Sequence, residues 1–336
     1  MNFLNKIRKL LAKIIGTFIP SKLIRAKVRA VIMFGPINWL IASYRAKREE
    51  PKLKFKNYLS ICAIIKNEGD YLKEWIEFHR LVGVEKFYIY DNESTDNTKE
   101  ILASYIKEGI VEYVLWPGLK QQIPAYNDAI KRYKYDTRWL GFIDLDEFIV
   151  PIETKIIPEF LVQFEPYSGL EINWLTYGSN GHETQSNCLV IERFKAHAAP
   201  DFVQHRWMKS IVNPRFVANM GPHYADYLAG HAVNPNKSKV HRNNFNDRNP
   251  LYKLLFRWRF LKKAVIKPLH DKIRINHYSC KSWEEFSKKS GRGDVMQNSG
   301  GKYSRKFFNM HDRNDIIDRT MDKYIKPVKK AMTNKS

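Results

Sequence analysis

Two kinds of hydrophobic patterning divide the chain. From residue 59 onward, short apolar runs alternate with longer stretches in which apolar side chains recur every three or four positions. Leu59–Ile65 is a continuous apolar run with the length and composition of a parallel strand buried on both faces. The polar break Lys66–Asp70 ends it, and Leu72, Trp75, Ile76 and Phe78 give Tyr71–Leu81 a helical period. Lys86–Tyr90 predicts a second strand, and the polar cluster Asp91–Asp96 can cap a second helix over Asn97–Tyr105. Ile110–Trp116 predicts a third strand, Ala125–Tyr133 a third helix and Trp139–Ile143 a fourth strand. This order predicts an α/β fold with a mostly parallel sheet and helices on both faces. Ligands in such sheets bind beyond the carboxyl ends of the strands. The clusters Asn67-Glu68, Asp91-Asn92 and Asp144 to Glu147 all fall there.

Before residue 57 the pattern differs. Leu4, Ile7, Leu11, Ile14, Ile15 and Phe18 share one side of a helical projection, and Lys6, Arg8, Lys9 and Lys13 fill the other. The apolar run Ala30–Tyr44 is broken by Gly35-Pro36 and is shorter than the ~20 residues a spanning helix needs. No uninterrupted apolar centre followed by a small-residue cleavage site marks a signal peptide. Three readings stay open: an interfacial helix on an anionic leaflet, a basic helix packed on its own domain, or partial insertion as a hairpin. Residues 236–275 interleave Leu254, Phe256, Trp258 and Phe260 with Lys253, Arg257 and Arg259. That stretch reads either as a second contact with lipid head groups or as an amphipathic helix covering the core.

Composition sharpens this division. The 336 residues carry 57 Lys+Arg against 35 Asp+Glu, a formal net charge of +22. Hydrophobic residues at 44% and aromatics at 13% exclude a disordered chain. Residues 1–56 hold 14 basic and 2 acidic residues, residues 236–275 hold 12 and 2, and the rest holds 31 of each. A neutral body with two basic appendages argues for an anionic membrane surface as partner and against nucleic acid. The expected organisation is a membrane-associating segment over 1–56, a catalytic domain over 57–300 that contains the insert 236–275, and a C-terminal helical tail over 301–336. The expected location is peripheral, on the cytoplasmic face of the membrane. Cys62, Cys188 and Cys280 are too scattered for a disulfide framework or a cysteine metal site, which suits a reducing compartment.

Candidate chemistry centres on Asp144-Leu145-Asp146. At the end of an extended strand the two carboxylates would face the same side. Two carboxylates so close persist most easily around a divalent cation, and oxygen ligands suit Mg²⁺ or Mn²⁺ with substrate phosphates completing the shell.

The segments IIKNEGDYLKEWIEFHRLVGVEKFYIYDNESTDNT, GFIDLDEFIVP, NWLTYGSNGH and INHYSCKSWEEFSKK, in that order over residues 58–290, resemble glycosyltransferase family 92 and the related family-2-like bacterial enzymes. The resemblance implies a GT-A fold, a nucleoside-diphosphate sugar donor (UDP-linked), a divalent metal and inversion at the anomeric carbon. It places Ile64, Asn67 and Glu68 beside the nucleoside, Asp91 and Asn92 near the base or ribose, and Asp128 near the ribose or sugar. Family-2 enzymes commonly carry Asp-Asp-Gly where this chain has Asp91-Asn92-Glu93. Asp144 and Asp146 become the DXD metal motif, and His277 the histidine that completes the metal shell.

The function expected is transfer of a sugar to a saccharide or lipid-linked glycan in surface polysaccharide or lipopolysaccharide synthesis. Negative charge that grows on the leaving diphosphate calls for a metal and nearby cations. Lys281, Lys289 and Arg292 are candidates on a segment able to fold over the donor. Inversion needs a carboxylate to take the acceptor proton, for which Glu192 is preferred, with Glu183 and Asp201 as further candidates. Trp174, Tyr177 and His182 are candidates for acceptor binding, because aromatic rings stack on sugar C–H faces. Two competing readings are a nucleotidyltransferase on a similar sheet and a non-catalytic basic protein that binds lipid or nucleic acid.

Overall fold

The computed structural model describes residues 40, 41, 43, 44, 53–240, 267–291 and 304–333. The expected N-terminal amphipathic helix, most of the run Ala30–Tyr44, the centre of the basic insert and Arg292 lie outside the described residues.

The chain from Asn57 builds the predicted alternation: β1 (Asn57–Ile65), α1 (Gly69–Leu81), β2 (Lys86–Asp91), α2 (Thr98–Lys107), β3 (Val111–Leu115), α3 (Gln122–Tyr133) and β4 (Thr137–Phe142). It continues through β5 (Glu147–Pro151), α4 (Ile157–Leu161), β6 (Gly169–Thr176), α5 (Val190–Arg193), β7 (Ala196–His197) and β8 (Met208–Val212). Three short strands follow, β9 (Val217–Met220), β10 (Ala225–Tyr227) and β11 (Ala232–Val233). Then come β12 (Ile273–His277), α6 (Trp283–Gly291), α7 (Arg305–His311), β13 (Ile316–Ile317) and α8 (Asp322–Thr333).

The main sheet runs β3-β2-β1-β4-β8-β6-β12-β5, with β11 paired to β6. The first four strands are mutually parallel, so their carboxyl ends share one edge. Beyond β4 the sheet is mixed: β8 is antiparallel to β4 and β6, whereas β12 is parallel to β6 and antiparallel to β5.

Side-chain alternation explains why β1 and β2 read as unbroken apolar runs. Leu59, Ile61, Ala63 and Ile65, with Phe87 and Ile89, enter a core layer that includes Leu72, Trp75 and Phe78 of α1. Cys62 and Ile64, with Tyr88 and Tyr90, enter the opposite layer with Ala125, Tyr126 and Ala129 of α3. Each strand therefore buries both faces. Fully burying one such aliphatic side chain contributes about 2 kcal/mol. The open α/β sheet expected of a GT-A arrangement is thus present.

Within residues 304–333, α8 docks rather than trails. Val328 is fully buried, and the Tyr324 ring meets Phe78 of α1 edge-on at 5.1 Å. Asp318 ties the same region down by accepting from Tyr177 Oη (2.7 Å) and pairing with Arg274.

Candidate active site

The loops after β1 and β2 lock together before any ligand is considered. The backbone N–H of Asn67 donates to Ser94 Oγ (2.9 Å), and Thr95 N–H donates to Asn67 Oδ1 (2.7 Å). Asp96 serves two helices: Oδ2 accepts from Gly69 N–H at the start of α1 (2.9 Å), and Oδ1 from Thr98 N–H at the start of α2 (3.2 Å). This satisfies amide donors that a helix start leaves unpaired. A Cβ at Gly69 would lie 2.2 Å from Asn97 Oδ1, so a larger residue there requires the Asn97 side chain to move. Asn67, Glu93 and Lys281 all adopt left-handed backbone (φ 51°, 61° and 52°), a conformation L residues keep only when the surroundings hold them there.

Most of the polar residues expected near the nucleoside are engaged by the protein. Asp91 is buried and accepts from Ser94 N–H (2.9 Å) and Tyr113 Oη (2.7 Å). Asn92 Nδ2 donates to the carbonyls of Trp116 and Gly118, both at 2.8 Å. Asp128 accepts from Tyr90 Oη (2.8 Å) and lies 3.4 Å from Arg132 Nε. Ile64 is buried in the α3-side core.

Asp144, Leu145 and Asp146 form a turn, not the end of an extended strand as expected. Strand β4 stops at Phe142, and Glu147 N–H closes back on the Asp144 carbonyl at 3.1 Å. The Glu147 carboxylate completes the turn by accepting from Asp144 N–H (2.9 Å). The two aspartates consequently meet different partners. Asp144 Oδ1 accepts from Gln122 Nε2 (3.1 Å) and Tyr126 Oη (3.2 Å), and Oδ2 from Lys209 Nζ (2.7 Å). Asp146 is buried, pairs with Lys289 and faces His277 Nε2 at 3.8 Å.

Sheet register delivers that histidine. His277 of β12 pairs with Glu147 of β5 on one side and Thr176 of β6 on the other, and Tyr278 N–H donates to the Asp146 carbonyl at 2.8 Å. His277 Nδ1 is buried without a hydrogen-bond partner. The ring stands 4.0 Å from that of Trp174, which lies 5.3 Å from His223 and 6.2 Å from Trp207; Trp207 and His223 are 4.8 Å apart. Trp207 is 38% exposed and forms the open edge of this aromatic group.

Three ammonium groups balance the carboxylates. Lys209 is buried on β8, 2.7 Å from Asp144 and 3.3 Å from Glu147. Burial pulls its pKa down, but the two carboxylates outweigh that and hold it above the ordinary lysine value. Lys281 is buried with Nζ 3.5 Å from the centre of the Tyr71 ring, and burial lowers its pKa against the pull of Glu68 and Asp146. Burial alone would raise Asp146, yet Lys289, His277 and Lys281 together hold it well below the carboxylate range. Burial drives Glu147 the other way; Lys209 opposes the rise, and Asp144 and Asp146 add to it. His277 is lowered to about 4, chiefly by burial, although Asp146 favours its charged form.

Other candidates lie apart from this turn. Glu192 on α5 pairs with Lys329 of α8 at 2.6 Å, and exposed Glu183 pairs with Arg305 of α7 at 2.8 Å. Tyr177 is a core residue instead of an acceptor contact, because its hydroxyl is spent on Asp318 and its ring packs against Tyr278. His182 is exposed beside Phe194. Lys209 and Trp207 are the site residues that sequence reasoning missed. A lysine inside the apolar segment Met208–Val212, next to a tryptophan, was the available signal. Among the described residues no group of three His, Cys, Asp or Glu is gathered to hold a metal.

Comparison with known proteins places the chain among glycosyltransferases. The chain is 35% identical over 103 residues to a family 92 protein of Arabidopsis thaliana, covering 30% of this chain and 18% of that one. It is 26% identical to a galactan β-1,4-galactosyltransferase of the same plant, covering 50% of this chain and 36% of that one. A β-1,4-galactosyltransferase of Caenorhabditis elegans is 29% identical over 49% of this chain and 42% of its own length. The chain thus spans less than half the length of each of these relatives. A solved structure of S. aureus TarS is similar over 47% of this chain and 48% of that one, at 17% identity and a TM-score of 0.33. The sequence model of glycosyltransferase family 92 matches residues 58–291, most of the chain, and the protein belongs to that family.

Proposed function

We propose that this protein transfers a hexose from a UDP-sugar to a saccharide or lipid-linked glycan, with help from a divalent cation. The observation that carries this reading is the meeting of Asp146 and His277 beyond the strand ends, 3.8 Å apart and flanked by lysines. The donor set fits Mn²⁺ or Mg²⁺: one carboxylate and one imidazole leave positions for phosphate oxygens and water. When bound there, the cation would supply charge stabilisation to the departing diphosphate.

The chain's own residues account for the rest. The interlocked loops at Asn67-Glu68 and Asp91-Asn92 support the nucleoside side of the donor. Lys281, held in left-handed backbone over Tyr71, is suited to meet the diphosphate because its charge is already desolvated. Asp144 is fixed by Gln122, Tyr126 and Lys209 and orients the turn that presents Asp146. Trp174 and Trp207 offer ring faces to an acceptor saccharide next to the reacting centre. Relatives named β-1,4-galactosyltransferases make UDP-galactose the donor to test first. A β product from an α-linked donor requires inversion.

The basic stretch over residues 1–56 supports peripheral attachment to an anionic membrane, where lipid-linked or surface glycans are made. No helix among the described residues is long and apolar enough to cross a membrane. The test is release of UDP from UDP-galactose with Mn²⁺, by wild type and Asp146→Asn. Metal-dependent release lost in the variant is expected; equal release by both would overturn the reading.

A further inference from the structure

The three lysines around the carboxylate turn differ in how firmly they are held. Lys209 is fixed between Asp144 and Glu147 and is 1% exposed. Lys281 is 5% exposed under the Tyr71 ring. The Lys289 side chain is 29% exposed, and its Nζ rests on Oδ2 of Asp146, the same oxygen that faces His277 Nε2.

The first turn of α6 is anchored independently of that contact. Arg193 grips both oxygens of Glu285 at 2.8 Å, and Glu285 accepts from Ser282 N–H at 3.1 Å. Lys289 can therefore leave Asp146 by rotation about its own four side-chain bonds while the helix stays in place. Partial exposure lowers the cost of that move, because water can solvate the released ammonium.

A divalent cation at Asp146 and His277 cannot share this oxygen with an ammonium group without strong repulsion. A diphosphate brings enough negative charge to accommodate both cations at once. We infer that Lys289 is an exchangeable counter-ion: it holds the Asp146 carboxylate until a divalent cation takes that oxygen, and its ammonium then pairs with the donor's nucleoside diphosphate. The inference rests on reading this turn as the donor and metal site. It makes Lys289 an opponent of the metal alone and a partner of the metal–diphosphate complex, so the two ligands bind cooperatively through it.

Opposite changes in the two affinities test this. Mn²⁺ binding is followed by the electron paramagnetic resonance of the free ion, and UDP binding by calorimetry at saturating Mn²⁺, on the full chain. Lys289→Gln should bind Mn²⁺ alone about fivefold to tenfold more tightly and UDP about fivefold to tenfold more weakly. Lys289→Arg should stay close to wild type in both. Lys288→Gln, which removes the charge next door where Lys288 pairs with exposed Glu284, should change neither. The tightening should persist in 0.5 M NaCl (about 4 Å screening length), which would suppress a merely long-range charge effect. Unchanged or weaker Mn²⁺ binding by Lys289→Gln, with wild-type binding that Asp146→Asn abolishes, overturns the inference and leaves the site reading intact. Failure of the wild type to bind either Mn²⁺ or UDP overturns both.

Discussion

The two ends of the main sheet handle buried polar groups in opposite ways. Around β1 to β3, polar side chains answer backbone amides and hydroxyls close in space: Asp96 caps two helices, Asp91 fixes its own loop, and Asn92 holds two carbonyls. The buried Asp91 carboxylate there is met by neutral donors instead of an ammonium group. Around β5, β8 and β12, carboxylates and ammonium groups face one another inside the protein, and His277 Nδ1 stays without a hydrogen bond. The first region meets most of its polar groups with neutral partners of its own, Trp116 Nε1 excepted. The second carries groups whose energetics favour taking on further charge, which is how a site differs from a scaffold.

The sharpest break of that comparison is Lys209→Met. It leaves Glu147 buried and Asp144 half-exposed without their ammonium, and urea denaturation should show a loss of about 3 kcal/mol. Adding Glu147→Gln should recover part of the loss, because the buried charge disappears with its partner. Loss of the same size in Lys209→Ala with no recovery from Glu147→Gln would mean that packing, not charge, is what Lys209 supplies. Asp146→Asn probes function in the same region: turnover should fall about 10²–10³-fold. Its stability to urea should fall by less than in Lys209→Met: partly exposed Lys289 is rehydrated, but the buried charge that His277 and Lys281 also favour is lost. An equal fall in stability would class Asp146 with the scaffold.

How far each region could be read from sequence follows the same division. The strands β1 to β4 and helices α1 to α3 rest on local periodicity and were legible to within a few residues. Helix α1 begins earlier than its apolar period because Asp96, 27 positions away, caps Gly69. Helix α3 begins at Gln122 because Pro124 is tolerated in a first helical turn. Asp144, Asp146 and His277 stood out as chemistry, yet their grouping depends on β12 entering between β5 and β6. Lys209 and Lys289 reach the turn from 65 and 143 positions away, distances over which no spacing rule operates. Tyr177 reads as an acceptor contact because an aromatic residue looks the same in sequence whether its hydroxyl meets a sugar or, as here, Asp318.

The scaffold side can be tested through acid stability. His79 is buried, accepts from Ile149 N–H through Nε2 at 3.2 Å, and lies with Nδ1 2.8 Å from the Trp75 carbonyl. Burial lowers its pKa to about 3, against the pull of that carbonyl, so the native state holds it neutral. Its contribution is therefore complete above the unfolded value near 6.5 and is lost as pH falls toward about 3. The stability of wild type relative to His79→Gln should drop by about 1 kcal/mol between pH 7.5 and 5.5. A constant difference across those two denaturation curves would mean that His79 is not held neutral.

The smallest expected effect lies on the open edge of the site. Trp207 is partly exposed, so Trp207→Ala removes little core and should move the urea midpoint only slightly. An aromatic face against a sugar ring is worth about 1 kcal/mol, which corresponds to roughly a fivefold rise in acceptor KM. The KM for the UDP-sugar and the rate of its hydrolysis by water should stay as in wild type, because neither needs the acceptor's ring. Trp174→Ala separates this from packing: Trp174 stands directly against His277, so its loss should also disturb Mn²⁺ binding. If Trp207→Ala raises the donor KM instead, the ledge belongs to the donor sugar, and the acceptor must approach from the side of α6.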